Sequence, residues 1–212
     1  MNLEVIIIVI SFFAALTVYF QPGSPLYLKL FPPFLAMTIL VELTASYFIV
    51  KYGENVSVYN IFNIVNFCFY YFVLREIITN KTAKKVIFYI MMIFLPLAVC
   101  NLLFVQKIGN FNSMTFSIGS LLIVGMCVYY FFELFQLPKA INLLREPAFW
   151  ICSGLLFFFV CSFPFFGLIN FISNASLLLL SRFVRVLIIV NVFLYSLFTI
   201  AFLCRIRIRR ST

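Results

Sequence analysis

The sequence predicts an all-α fold: a polytopic transmembrane helical bundle of seven spans, N-terminus outside and C-terminus in the cytosol. Three observations lead there. Of the 212 residues, 65% are hydrophobic and only 10% charged, where soluble domains carry about 25% charged residues; mean hydropathy is +1.16. The apolar residues fall into seven runs, each near the ~20 residues that a helix needs to cross a bilayer. The positive charges alternate between the connections. A water-soluble fold of this length cannot hide so much apolar surface. The whole length, residues 1–212, reads as one domain.

The spans are expected at 3–20, 31–50, 58–78, 86–105, 114–135, 149–171 and 183–204. The first follows Met1-Asn2-Leu3-Glu4 without the positive flank of a cleaved signal, so it is expected to be retained. Gln21-Pro22-Gly23-Ser24-Pro25 separates it from the second, and Tyr52-Gly53-Glu54-Asn55 ends that one. Thr79-Asn80-Lys81-Thr82 divides spans three and four. Gly109-Asn110-Phe111-Asn112-Ser113 precedes the fifth. Leu137-Pro138-Lys139 and Glu146-Pro147 bracket the loop before the sixth, and Ser173-Asn174-Ala175-Ser176 precedes the seventh. Pro, Gly and Asn are what turns require. Barrel strands would alternate apolar and polar residues at period two; these runs are apolar on all sides, so helices are expected.

Seven crossings put the termini on opposite sides. With the C-terminus inside, the inner connections hold Lys29, Arg75, Lys81, Lys84, Lys85, Lys139, Arg145, Arg205, Arg207, Arg209 and Arg210. The outer ones hold Lys51, Lys107, Arg182 and Arg185. Positive residues favour the cytosolic side, which selects this orientation, and a multi-pass location in the inner (plasma) membrane is expected. The net charge of +9 is therefore read as topology. Nucleic-acid binding needs a basic face on a soluble surface, and none is expected. Lys81, Lys84, Lys85 and the Arg205, Arg207, Arg209, Arg210 tail have two readings. They rest on anionic lipid, or they dock a cytoplasmic partner.

The chain has no His and no Asp. That excludes a histidine base, haem or zinc ligand, and an aspartyl phospho-acceptor. The six cysteines, Cys68, Cys100, Cys127, Cys152, Cys161 and Cys204, form no CxxC pair and read as small apolar helix residues. No metal and no cofactor are expected. A lipid-acting enzyme would need an acid–base pair near an interface. Glu76, Glu133 and Glu146 show no such spacing, so no enzymatic activity is expected.

Charges at bilayer depth are costly and usually have a role. Glu42 is the clear case, with Thr38 and Ser46 four residues to either side on the same helical face. It is read as a ligand, ion or proton site, or as a structural clamp; Arg182 and Arg185 are the candidate ion-pair partners. Span three carries Asn60, Asn63, Asn66 and Tyr70 on about one third of its surface, and Asn191 with Tyr195 does the same on span seven. Interhelical amide glue is one reading, a lined cavity the other. Cys68-Phe-Tyr-Tyr-Phe and Cys127-Val-Tyr-Tyr-Phe run in parallel, each leading to a glutamate and a basic loop. An interfacial aromatic belt and an ancient duplication both produce that pattern.

Four stretches carry a family resemblance: Leu30-Phe31-Pro32-Pro33-Phe34, Val41-Glu42-Leu43, Tyr129-Tyr130-Phe131-Phe132-Glu133-Leu134, and Phe149-Trp150-Ile151-x-x-Gly154-Leu155-Leu156-Phe157-Phe158. Together they resemble a family of small seven-span bacterial membrane proteins associated with sensor histidine kinases, as neighbours or as membrane input regions. The resemblance implies a kinase or similar signalling protein as partner and carries no assigned site residue. A retinal protein would need a lysine in span seven, and 183–204 has none. A sugar-transporting triple-helix repeat would show Pro-Gln pairs, and only Gln21-Pro22 occurs, reversed and in a loop. The expected function is a sensory or accessory module. The competing expectation is a small transporter or channel with a polar midplane site around Glu42.

Overall fold

The computed structural model describes the backbone of residues 3–21, 23–136, 142–172 and 177–208, and their side chains except at 168–172, 177–183 and 205–208. Among the described residues there is no strand. Seven helices are long and apolar enough to cross a membrane: Leu3–Phe20, Leu26–Tyr52, Val56–Ile77, Lys81–Val105, Ser113–Phe135, Pro147–Gly167 and Val184–Cys204.

The helices are α1 (Leu3–Leu16, continued by a 3₁₀ turn at Thr17–Phe20), the short α2 (Leu26–Lys29), α3 (Phe31–Tyr52), α4 (Val56–Ile77), α5 (Lys81–Cys100, continued by a π turn at Asn101–Val105), α6 (Ser113–Phe135), α7 (Pro147–Ile172) and α8 (Leu177–Ile208). Two start about one turn earlier than hydropathy predicts. Pro25, at extended ψ, opens α2, which leads through Leu30 into α3 with proline in its first turn. Asn80 starts α5 by accepting hydrogen bonds from the amides of Thr82 and Ala83. Hydropathy marks where a run becomes greasy, whereas capping marks where the helix begins. At the other end of α3, Gly53 takes a left-handed φ of 82° and returns its N–H to Ile49, a conformation glycine adopts freely.

α1, α3, α4, α6, α7 and α8 close a ring in that order, with α8 returning to α1. α5 leans on α4 outside the ring. The end of the ring holding the N-terminus of α1 and the α3–α4 and α5–α6 connections is called the top here. From its middle to its bottom the ring is filled by aromatic side chains. Phe31 meets Phe69, Phe198 and Phe202 at 5.2, 5.2 and 5.3 Å between ring centroids. Tyr70 meets Phe159 and Phe198, and Phe67 meets Phe94, Phe116 and Phe159. Phe31, Phe67, Phe159, Phe198 and Phe202 are fully buried and Tyr70 nearly so. A Cβ on Gly119 would stand 2.7 Å from the Phe67 ring, so α6 can approach α4 only because position 119 has no side chain. The outside is the inverse: Phe13, Leu40, Leu43, Ile93, Leu97, Leu121 and Ile189 stand more than half exposed. Soluble monomers rarely expose contiguous apolar surface on that scale.

Candidate functional site

Above the aromatic filling, polar side chains from four helices converge. Tyr59 on α4 donates its hydroxyl to Glu42 Oε2 on α3 at 3.0 Å. Asn191 on α8 donates its amide to Glu4 Oε1 on α1 at 3.0 Å. The two pairs sit on neighbouring helices, α1 packing against both α3 and α8. Tyr195, only 7% exposed, sits within electrostatic reach of Glu4, Glu42 and Tyr59. Its hydroxyl has no hydrogen-bond partner among the described residues. Neither carboxylate has an ion-pair partner among the described residues. Two half-buried carboxyl groups thus lie on neighbouring helices, one bonded by a phenol and one by an amide, with no cationic side chain paired to them among the described residues.

The residues singled out from the sequence are distributed unevenly around this centre. Glu42 and Asn191 are in it. Thr38 is buried and Ser46 exposed, and both hydroxyls bond their own helix, to Phe34 O at 2.9 Å and Glu42 O at 2.8 Å. Asn63 and Asn66 are half-buried on α4, and the Asn66 Oδ1 is shielded without a partner. Tyr70 lies in the aromatic filling, 2% exposed. Arg185 is exposed on α8, and the side chain of Arg182 lies outside the described residues. Lys81 and Lys85 are exposed and Lys84 half-buried in the first turn of α5. The side chains of Arg205 and Arg207, and all of Arg209 and Arg210, lie outside the described residues, as do Lys139 and the Asn170 side chain.

No family model matches this chain, nor does any curated protein or solved structure.

The site is therefore read from its own residues, and two of them escaped sequence reasoning. Tyr59, Asn63, Asn66 and Tyr70 are spaced four, three and four apart, which keeps one helical face. Asn60, about 60° around the helix from Asn63, stands beside that face and does other work. Its amide donates to Ile108 O at 3.1 Å and Asn110 O at 2.8 Å, and its Oδ1 accepts from the Asn112 N–H at 2.9 Å. It staples the α5–α6 connection to α4. Asn101 extends that network to Gln106, Asn112 and Thr115. Glu4 carries no local signal of a role; its partner, Asn191, is 187 residues away and invisible to local reading. The two glutamates of the parallel motifs also part company. Glu76 pairs with its neighbour Arg75 at 3.0 Å. Glu133 accepts from the backbone N–H groups of Thr79 and Asn80 and from the Thr79 hydroxyl, which fixes the α4–α5 connection.

Carboxylate, amide and phenol oxygens are hard donors. They suit an alkali or ammonium cation, whereas transition metals prefer nitrogen and sulfur ligands.

Proposed function

We propose that this chain is an integral membrane protein, N-terminus outside and C-terminus in the cytosol, that senses a small cation at the top of its helical ring and has no enzymatic activity. One observation carries the reading: Glu4 and Glu42, half-buried on the adjacent helices α1 and α3, have no ion-pair partner among the described residues, and charge of one sign at membrane depth is costly until it is compensated. A cation between them would draw α1 and α3 together, and with them α4 and α8 through Tyr59 and Asn191. Such a helix shift is what a cytoplasmic partner would detect; the family resemblance makes a sensor histidine kinase the partner class. The same acid pair suits a transporter site. The aromatic filling below it favours sensing, because it leaves the pair facing one end only.

The test is thermal unfolding of the purified full chain in detergent, titrated with Na⁺, Ca²⁺ and putrescine in turn. A cation at about 100 times its Kd stabilises the folded state by about 2.7 kcal/mol. One of the three is expected to raise Tm in the wild type and to have no effect on Glu42→Gln. Flat titrations with all three, or an equal response from the variant, would overturn the proposal. Tags on the two termini are expected to be accessible from opposite faces of the membrane.

A further inference from the structure

A second feature, independent of the acid pair, runs along the outer seam of α7 and α8. Two adjoining open cavities of about 610 and 800 Å³ share Leu144 and Trp150 as walls and form one groove. On α7 it is lined by Trp150, Ser153, Phe157 and Val160, spaced three, four and three apart. On α8 it is lined by Phe193, Leu197, Ile200 and Cys204, spaced four, three and four apart. Such spacing keeps one face of each helix, so the groove is continuous. From Cys204 to Phe193 the helix rises about 16 Å, close to half of the ~30 Å hydrocarbon thickness of a bilayer. The groove is thus as long as one leaflet is deep.

Its two ends differ. The upper end is apolar, with Phe157 and Phe193 in contact at 4.4 Å between ring centroids. At the bottom, Asn142 and Arg145 themselves line the groove. Trp150 stands beside them and donates its Nε1–H to Leu144 O at 3.0 Å, an apolar ring with a polar tip of the kind enriched at membrane interfaces. Arg145 is exposed, and its guanidinium has no hydrogen bond or ion pair among the described residues. The neighbouring Glu146 is half-buried, lies within electrostatic reach of the buried Tyr130, and is not part of the groove wall. The charge in the wall is therefore positive.

We infer that this groove holds one anionic phospholipid, with an acyl chain along the α7–α8 seam and its phosphate on Arg145. A guanidinium offers a phosphate two parallel N–H donors. Groove length, apolar walls and a free cation in the wall at one end each match that molecule. The inference rests on the chain lying in a membrane, as proposed above, and does not require the cation site.

Native mass spectrometry of the full chain, released from neutral detergent with phosphatidylglycerol or phosphatidylcholine added, tests it. The wild type is expected to retain one phosphatidylglycerol, with about fivefold preference over phosphatidylcholine. Arg145→Gln is expected to keep a lipid but lose the preference, whereas Lys84→Gln, away from the groove, keeps both. Ser153→Phe fills the groove from a half-exposed position, so it is expected to fold with an unchanged Tm and lose the lipid. Equal retention of both lipids by the wild type, or an undiminished preference in Arg145→Gln, overturns the inference. So does a lipid-free wild-type dimer that Ser153→Phe dissociates, which would assign the groove to a second copy. Neither groove variant touches Glu42 or the chain ends, so the cation response and the accessibility of terminal tags report separately on the cation and membrane readings.

Discussion

At the bottom of the ring Phe31, Tyr70, Phe198 and Phe202 close on one another until almost nothing of them is exposed; at the top Glu42 and Glu4 are held on neighbouring helices by Tyr59 and Asn191. In the first region the rings satisfy one another by packing, and of these four only Tyr70 has a polar atom to place. The second is built to a defined geometry by Tyr59 and Asn191 yet has no ion pair among the described residues. Stability and function are expected to separate along the same line, because strained or incompletely satisfied groups persist where they serve a function.

The largest test of that division is at the bottom. Phe198→Ala empties a site in contact with Phe31, Tyr70 and Tyr195 and is expected to cost about 3–5 kcal/mol in chemical denaturation. Gly119→Ala comes next. Its new methyl would meet a Phe67 ring that is itself packed on three sides, and about 1–3 kcal/mol of overpacking is expected, read as a lower Tm. Asn60→Ala removes three hydrogen bonds to the α5–α6 connection. About 2 kcal/mol is expected, together with faster proteolysis at residues 106–112. Glu42→Gln is the smallest for the fold. The amide keeps an oxygen for the Tyr59 hydroxyl, so stability without added cation should stay within about 0.5 kcal/mol while the cation response disappears. If Glu42→Gln instead destabilised as much as Phe198→Ala, Glu42 would be a structural clamp and the division would fail.

The sequence reveals the seven long apolar helices because each carries the length and hydropathy that a bilayer crossing demands. It reveals Glu42 because a charge in an apolar run stands out. It hides Glu4, whose position in a first helical turn looks ordinary, and whose meaning comes from α8 folding back beside α1. It also leaves out Tyr59, which shares the Asn63, Asn66 and Tyr70 face, and cannot show that Asn60, at the edge of that stripe, bonds the α5–α6 connection. The outward lean of α5 follows from packing that no local pattern encodes.

The most direct test of a one-ended cation site above a closed interior compares binding with passage. The chain is reconstituted in proteoliposomes, and transmembrane flux of the stabilising cation is followed under an imposed gradient. The wild type is expected to bind the ion with no flux above empty vesicles. Flux that Glu42→Gln abolishes would show a path through the ring and contradict the account.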